Sequence, residues 1–252
     1  KTKLSFHRAE QAWFEPVREE CKAVAEAVGI MDLGGFSKFI VEGPGAEKWL
    51  DHLICGALPK SNRVTLAYTL TPKGSILSEF TMTRLSPDKF YLMSAGSGLW
   101  HDIDWLTQHL PTDGSVKLTE VSQSASSLVL AGPRSRDLLR KITDADLSNN
   151  AFPWPSCQEI VVAGRKVTAL RVNYVGELGW ELHVPMGDLV HVYDAITAAG
   201  QEFGLKDFGM YAMECLRLEK GYRSWKQDIT HEYTPFDAGL ERFVKLNKGD
   251  FI

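Results

Sequence analysis

The sequence is poor in cysteine, and its four, Cys21, Cys55, Cys157 and Cys215, are widely spaced and form no CxxC pair. That usage argues against a disulfide framework or a cysteine zinc site, and suits reduced, mostly buried thiols in a reducing compartment. An excess of charge is also lacking: 28 Lys and Arg against 32 Asp and Glu leave a formal net charge of −4. Nothing in that balance draws the chain to nucleic acid or anionic lipid, and bases alternate with acids, as in Lys245-Leu246-Asn247-Lys248-Gly249-Asp250. No apolar run approaches the length of a membrane span. The seven histidines form no HExxH pattern, and His183 and His191 lie eight apart with no carboxylate at ligand spacing, so no metal is expected. An initiator Met, a signal peptide and a transit segment are absent, and no helix cap or polar tail follows Lys248-Gly249-Asp250-Phe251. Both ends read as cuts inside a longer polypeptide, expected in the cytoplasm or the mitochondrial matrix.

What is present is an ordinary globular composition, 44% hydrophobic and 24% charged over 252 residues, enough for one large domain or two small ones. Inside it lies a duplication. Residues 39–54, FIVEGPGAEKWLDHLI, and 128–143, LVLAGPRSRDLLRKIT, share an apolar strand, a Gly-Pro turn and an amphipathic helix, with the turn glycines Gly43 and Gly132 separated by 89 positions. A second pair, FYLMSAGSGLWHDIDWL from Phe90 and WELHVPMGDLVHVYDAI from Trp180, repeats at an offset of 90. Between the pairs the residues alternate as strands do, with hairpin turns at Thr71-Pro72-Lys73-Gly74, Ser86-Pro87-Asp88 and Ala163-Gly164-Arg165. A β-α-β-β-α-β plan used twice predicts an α+β fold of antiparallel sheets with helices.

Three stretches carry candidate chemistry. In residues 68–79, YTLTPKGSILSE, a Pro-Gly turn joins two strands with Tyr68 near the end of one and Glu79 early in the next. Two readings stand open: a hairpin with a packed Tyr and an exposed Glu, or one pocket pairing an aromatic with a carboxylate that holds a proton. In residues 173–181, NYVGELGWE, spacing favours a hairpin tip with both glutamates solvated. Glu181 fits that reading less well, since it lies between Trp180 and Leu182 in an apolar strand, where a carboxylate usually has a partner or a ligand. In residues 212–225 helical spacing ends at Gly221, and Arg217 is set to pair with Glu214 one turn back. Gly43-Pro44-Gly45 lacks the Lys-Ser/Thr of a P-loop, and Gly96-Ser97-Gly98 is no dinucleotide fingerprint. Four serines near residues 122–127 have no His and Asp at sensible spacing, so a hydrolase triad has no support.

Together these segments resemble the aminomethyltransferase family, which includes the T-protein of the glycine cleavage system and the folate-binding portions of dimethylglycine and sarcosine dehydrogenases. The resemblance covers essentially the whole chain. It rests on Met31-Asp32-Leu33 followed by VEGPGA, on YTLTPKGSILSE, on LAGP at 130–133 and on NYVGELGWELHVP, with the tail LRLEKGYRSW…TPFDAGL closest to the dimethylglycine dehydrogenase branch. It implies two interleaved ferredoxin-like units, 1–50 plus 112–252 and an inserted 51–111, with the family's C-terminal barrel domain absent. It implies tetrahydrofolate in a central hole, with Glu79 as the catalytic carboxylate. Tyr68, Glu181, Ser94, Tyr174 and Arg217 are the implied folate-binding residues. The implied reaction is transfer of a methylene unit from an N-methylated amine or its iminium to give 5,10-methylene-tetrahydrofolate, with an FAD domain elsewhere in the same polypeptide. Met213 stands where the T-protein has an arginine and Ser94 where it has an asparagine, which turns the expectation away from glycine cleavage. Other members of the fold supply the alternatives: a glycine-cleavage aminomethyltransferase, an S- or O-demethylase, a structural piece of a flavoenzyme, or a non-catalytic folate-binding iron–sulfur assembly factor. The last places a Cys after Lys220-Gly221, where this chain has Tyr222.

Overall fold

The strands of the computed structural model, which describes residues 11–252, are β1 (Gly29–Asp32), β2 (Ser37–Glu42), β3 (Val64–Leu70), β4 (Ile76–Ser86), β5 (Lys89–Ser94), β6 (Lys117–Glu120), β7 (Ala125–Ala131), β8 (Cys157–Val162), β9 (Arg165–Leu170), β10 (Gly179–Pro185) and β11 (Lys206–Asp207). The helices are α1 (Phe14–Glu26), α2 (Ala46–Leu53), α3 (Leu99–Gln108), α4 (Ser135–Leu139), α5 (Leu189–Gly200) and α6 (Met210–Glu219). They divide into two units. The first holds the described part of Lys1–Leu33 with Ser126–Trp154 and Gln158–Tyr222; the second holds Gly34–Ala125, Pro155–Cys157 and Arg223–Ile252. No helix among the described residues is long and apolar enough to cross a membrane.

In the second unit the sheet runs β3-β4-β5-β2-β6, with antiparallel neighbours. Alternation along each strand sends Phe39, Val41, Ala67, Phe80, Met82, Phe90 and Leu92 to one face, where Trp49, Leu50 and Leu53 of α2 and Leu106 of α3 cover them. Each large side chain so buried contributes about 1.5–3 kcal/mol, which is what keeps α2 and α3 on that face.

The sheet of the first unit runs β11-β1-β7-β10-β9-β8. Its β1–β7 and β9–β10 pairs are antiparallel and its β1–β11 pair is parallel. Replacing β2 through β6 by β7 through β11 turns one strand order into the other, except that β1 is inserted between β7 and β11. The duplication in the sequence is therefore a duplication of topology. Leu128, Leu130, Val167, Ala169, Trp180, Leu182 and Val184 face Leu138 and Leu139 of α4 and Val192 and Ile196 of α5. Neither sheet closes into a barrel among the described residues. Each repeat carries three strands between two helices, α2 and α3 in one and α4 and α5 in the other, one more than the β-α-β-β-α-β plan.

The unit boundaries expected at 50/51 and 111/112 fall inside the second unit; the observed divisions near these points lie at 33/34 and 125/126. The reason is strand order. β2 lies between β5 and β6 in one sheet, so residues on either side of the expected insert belong with it. Residues after 222 also return to this unit, where Ile229, Ala238 and Leu240 pack with Tyr68, Leu70 and Ile76.

The repeated Gly-Pro turn has one geometry. Gly43 has φ 126° and Gly132 φ 132°, and the amides of Ala46 and Ser135 each donate to the glycine carbonyl at 3.0 Å. A Cβ on Gly132 would lie 2.6 Å from the Ala27 carbonyl oxygen, and one on Gly43 would strike that of Ser115. Gly132→Ala is therefore expected to cost about 1–3 kcal/mol from backbone strain alone, with the clash adding to it. Denaturant unfolding of the protein carrying this chain measures the loss; unchanged stability would contradict the account of the turn.

Candidate functional site

The face of the second unit's sheet that points away from α2 and α3 carries the first pair of candidate residues. Tyr68 and Glu79 are direct cross-strand partners in the β3–β4 hairpin, and such partners project to the same side. Tyr68 is buried, with the Phe243 ring 5.7 Å away. Glu79 is half-buried. Burial pushes its pKa above the usual carboxylate value, and the hydrogen bond donated by the Tyr68 hydroxyl works in the opposite direction. In this hairpin Tyr68 is packed and its hydroxyl meets a Glu79 that is half-buried rather than fully exposed.

Ser94 is placed differently. It alternates with Phe90 and Leu92, so it faces the helices, and its hydroxyl donates to Asp102 Oδ2 at 2.6 Å. Asp102, buried on α3, also accepts from the Ser78 hydroxyl at 2.7 Å. Ser94 thus lies on the opposite face from Glu79 and helps one aspartate tie β4 and β5 to α3. Ser78 and Asp102 were missed, although Ser78 is Glu79's neighbour.

In the first unit Glu181 and His183 alternate with the core residues Trp180, Leu182 and Val184, so both project from the face away from α4 and α5. Glu181 is only 6% exposed, which removes the solvated hairpin-tip reading for it. Its Oε2 has no hydrogen-bond partner among the described residues, and His183 Nε2 stands 3.8 Å away. On its other side the His183 ring shares a hydrogen bond of 2.9 Å between Nδ1 and Ser127 Oγ. One of the four serines thus does have a histidine, on a neighbouring strand. Ser127 is fully buried, so no substrate reaches it as a nucleophile. His183 was missed because its distance from His191 was weighed and its place two residues after Glu181, on the same side of the strand, was not.

Tyr174 and Arg217 meet within the same unit. The Asn173 side chain shapes the loop, accepting from the amides of Val175 and Gly176 and donating to the Glu177 carbonyl at 2.6 Å. Glu177 pairs with Lys220 at 3.1 Å, raising the lysine pKa. The Tyr174 ring stacks on Tyr222 at 6.1 Å, and the Arg217 guanidinium stands 5.9 Å from its centre. Arg217 is buried, donating to Glu214 at 2.6 Å, as its spacing predicted, and to the Tyr222 carbonyl at 2.7 Å. These bonds hold the turn after α6, with Arg217 against the stacked tyrosines.

The cysteines are less uniformly buried than expected: Cys55 and Cys157 are buried, Cys21 is partly so and Cys215 is exposed. Burial raises the thiol pKa of Cys55 to about 11 and that of Cys157 to about 12. No group of three or more His, Cys, Asp or Glu among the described residues is placed to hold a metal ion.

Comparison with known proteins places these features. Residues 2–248 match the GCVT N-terminal domain. Human mitochondrial dimethylglycine dehydrogenase is 41% identical over 250 residues, 98% of this chain and 29% of that protein. Human mitochondrial sarcosine dehydrogenase is 35% identical over 248 residues, 92% of this chain and 27% of that protein. The chain thus spans less than a third of these relatives. Among solved structures, the glycine cleavage system aminomethyltransferase T from Bartonella henselae superposes with a TM-score of 0.80 at 25% identity, covering 92% of this chain and 61% of that one.

The raised pKa of Glu79 has a consequence for stability. The folded state favours the protonated carboxyl, so the contribution is fully present below the unfolded pKa and is lost as pH rises through the folded one. Glu79→Gln is expected to stabilise the protein near neutral pH, with the gain shrinking as pH falls through the raised folded pKa and gone below the ordinary carboxylate value of 4.5. Thermal unfolding across that pH range checks it, and a destabilised variant at neutral pH would contradict it. Asp102→Ala, which leaves two buried hydroxyls without their acceptor, should cost about 1–3 kcal/mol by the same measurement.

Proposed function

Because the chain belongs to the GCVT N-terminal domain family, we propose that it binds tetrahydrofolate and transfers to it a methylene unit derived from an N-methylated amine. The donor class comes from the names of the dimethylglycine and sarcosine dehydrogenases it resembles. Oxidation of the amine is assigned to a flavin-bearing region of a longer polypeptide. Both relatives are named as mitochondrial, which favours the matrix.

The observation that carries the proposal is the Glu79 carboxyl group, half-buried, bonded to Tyr68 and raised in pKa. Bound folate would supply two nucleophilic nitrogens. Transfer forms two bonds from the carbon to these nitrogens and breaks both of its bonds to the donor nitrogen. Two N–H protons are released, one to the departing amine and the other to a base. Glu79 is the proposed base, and its negative charge steadies the cationic donor before water hydrolyses it to formaldehyde. Tyr68 donates to that carboxylate and fixes its direction. The unpartnered Glu181 Oε2 fits a ligand whose ring edge presents N–H donors, as a pterin does. The stacked pair of Tyr174 and Tyr222 offers a flat surface beside it in sequence. Against the glycine-cleavage alternative, α6 carries the buried Met213 where the resemblance calls for an arginine.

Glu79→Gln keeps the shape and removes the charge. In the full-length enzyme, methylene transfer should fall by about 10²–10⁴-fold while folate affinity changes modestly. Formaldehyde should replace 5,10-methylene-tetrahydrofolate as the main product at saturating folate. Equal formaldehyde output from wild type and variant would remove this chain as the acceptor site.

A further inference from the structure

We propose that His183, locked by Ser127, is a positioning residue for Glu181, and that ligand affinity depends on it through that carboxylate. This rests on the folate reading of Glu181 given above. The three side chains form a buried row on one sheet face: Ser127 on β7, His183 and Glu181 on the adjacent β10. A buried carboxylate is costly without donors around it, and such donors also fix its rotamer.

The hydrogen bond to Ser127 can run in either direction, and its direction is linked to what the imidazole presents. If Nδ1–H donates to Ser127, a neutral ring turns the Nε2 lone pair toward a carboxylate oxygen 3.8 Å away, and the two repel. If the Ser127 hydroxyl donates to Nδ1, then Nε2–H faces Glu181 and attracts it. The second arrangement is the one in which the imidazole attracts the carboxylate. At 3.8 Å the contact is longer than a hydrogen bond, so the imidazole biases the carboxylate without saturating it. Glu181 Oε2 stays open to a donor on the ligand. Ser127 holds the ring in place, His183 aims the carboxylate, and Glu181 meets the ligand.

The test is equilibrium binding of tetrahydrofolate to the full-length protein, with steady-state kinetics on the same variants. His183→Leu should weaken binding about tenfold, seen as a rise in KM with kcat little changed. His183→Gln, whose amide N–H reaches toward the same place as Nε2–H, should recover most of the affinity. In a Glu181→Gln background His183→Leu should add almost nothing, since residues acting through one group are non-additive. Two results overturn the proposal: affinity within twofold of wild type in folded His183→Leu, or a His183→Leu loss that persists in full without the Glu181 carboxylate. If His183→Leu fails to fold, His183→Gln decides, because recovery near wild type is expected of it and a tenfold loss is not. Absence of saturable folate binding by wild type would bring down the functional reading itself, and this inference with it.

Discussion

A β-strand turns successive side chains to opposite faces, and in this protein that alternation separates stability from chemistry. One face of each sheet is committed to helices: Phe80, Met82 and Leu92 in the second unit, Trp180, Leu182 and Val184 in the first. The residues between them have to project the other way. Glu79 lies between Ser78 and Phe80, and Glu181 between Trp180 and Leu182, so a one-residue slip in either strand would drive a carboxylate into an apolar core. The cores fix the register, and the register delivers both carboxylates to the faces away from the helices.

Those faces are nonetheless not water. Burial raises the pKa of Glu79, and Glu181 has an oxygen with no hydrogen-bond partner among the described residues. A chain selected for stability alone would replace both. Retaining them is the pattern of a site in which polar groups are held ready for a ligand, at a cost in folding free energy. Around each carboxylate the fold supplies a support that does not itself need to meet the ligand. Tyr68 backs Glu79, while Asp102 anchors Ser78 beside it; His183 and Ser127 stand behind Glu181.

Much of this was legible in the sequence where the information is local. The Gly-Pro turns, the hairpins and the helices after them follow from short patterns, and the two offsets near 90 announced the repeated topology. The pairing of Tyr68 with Glu79 was one of the two readings that a single hairpin left open. What was not legible depends on contacts far apart in the chain. The unit boundaries were misplaced because β2 pairs with β5 and β6, more than forty and seventy residues on in the numbering. The face that Ser94 occupies was not legible, because resemblance aligns positions without saying which way they project. The Ser127–His183 bond spans 56 residues, beyond any spacing rule, yet the place of His183 two residues after Glu181 was a local signal that alternation could have used.

The proposed function requires that this chain bind a reduced folate. Calorimetric titration of tetrahydrofolate into the full-length protein carrying this chain, under anaerobic conditions, tests it most directly. The account predicts saturable binding of one folate for each copy of the chain. Heats that never saturate, in a protein shown to be folded, would contradict it.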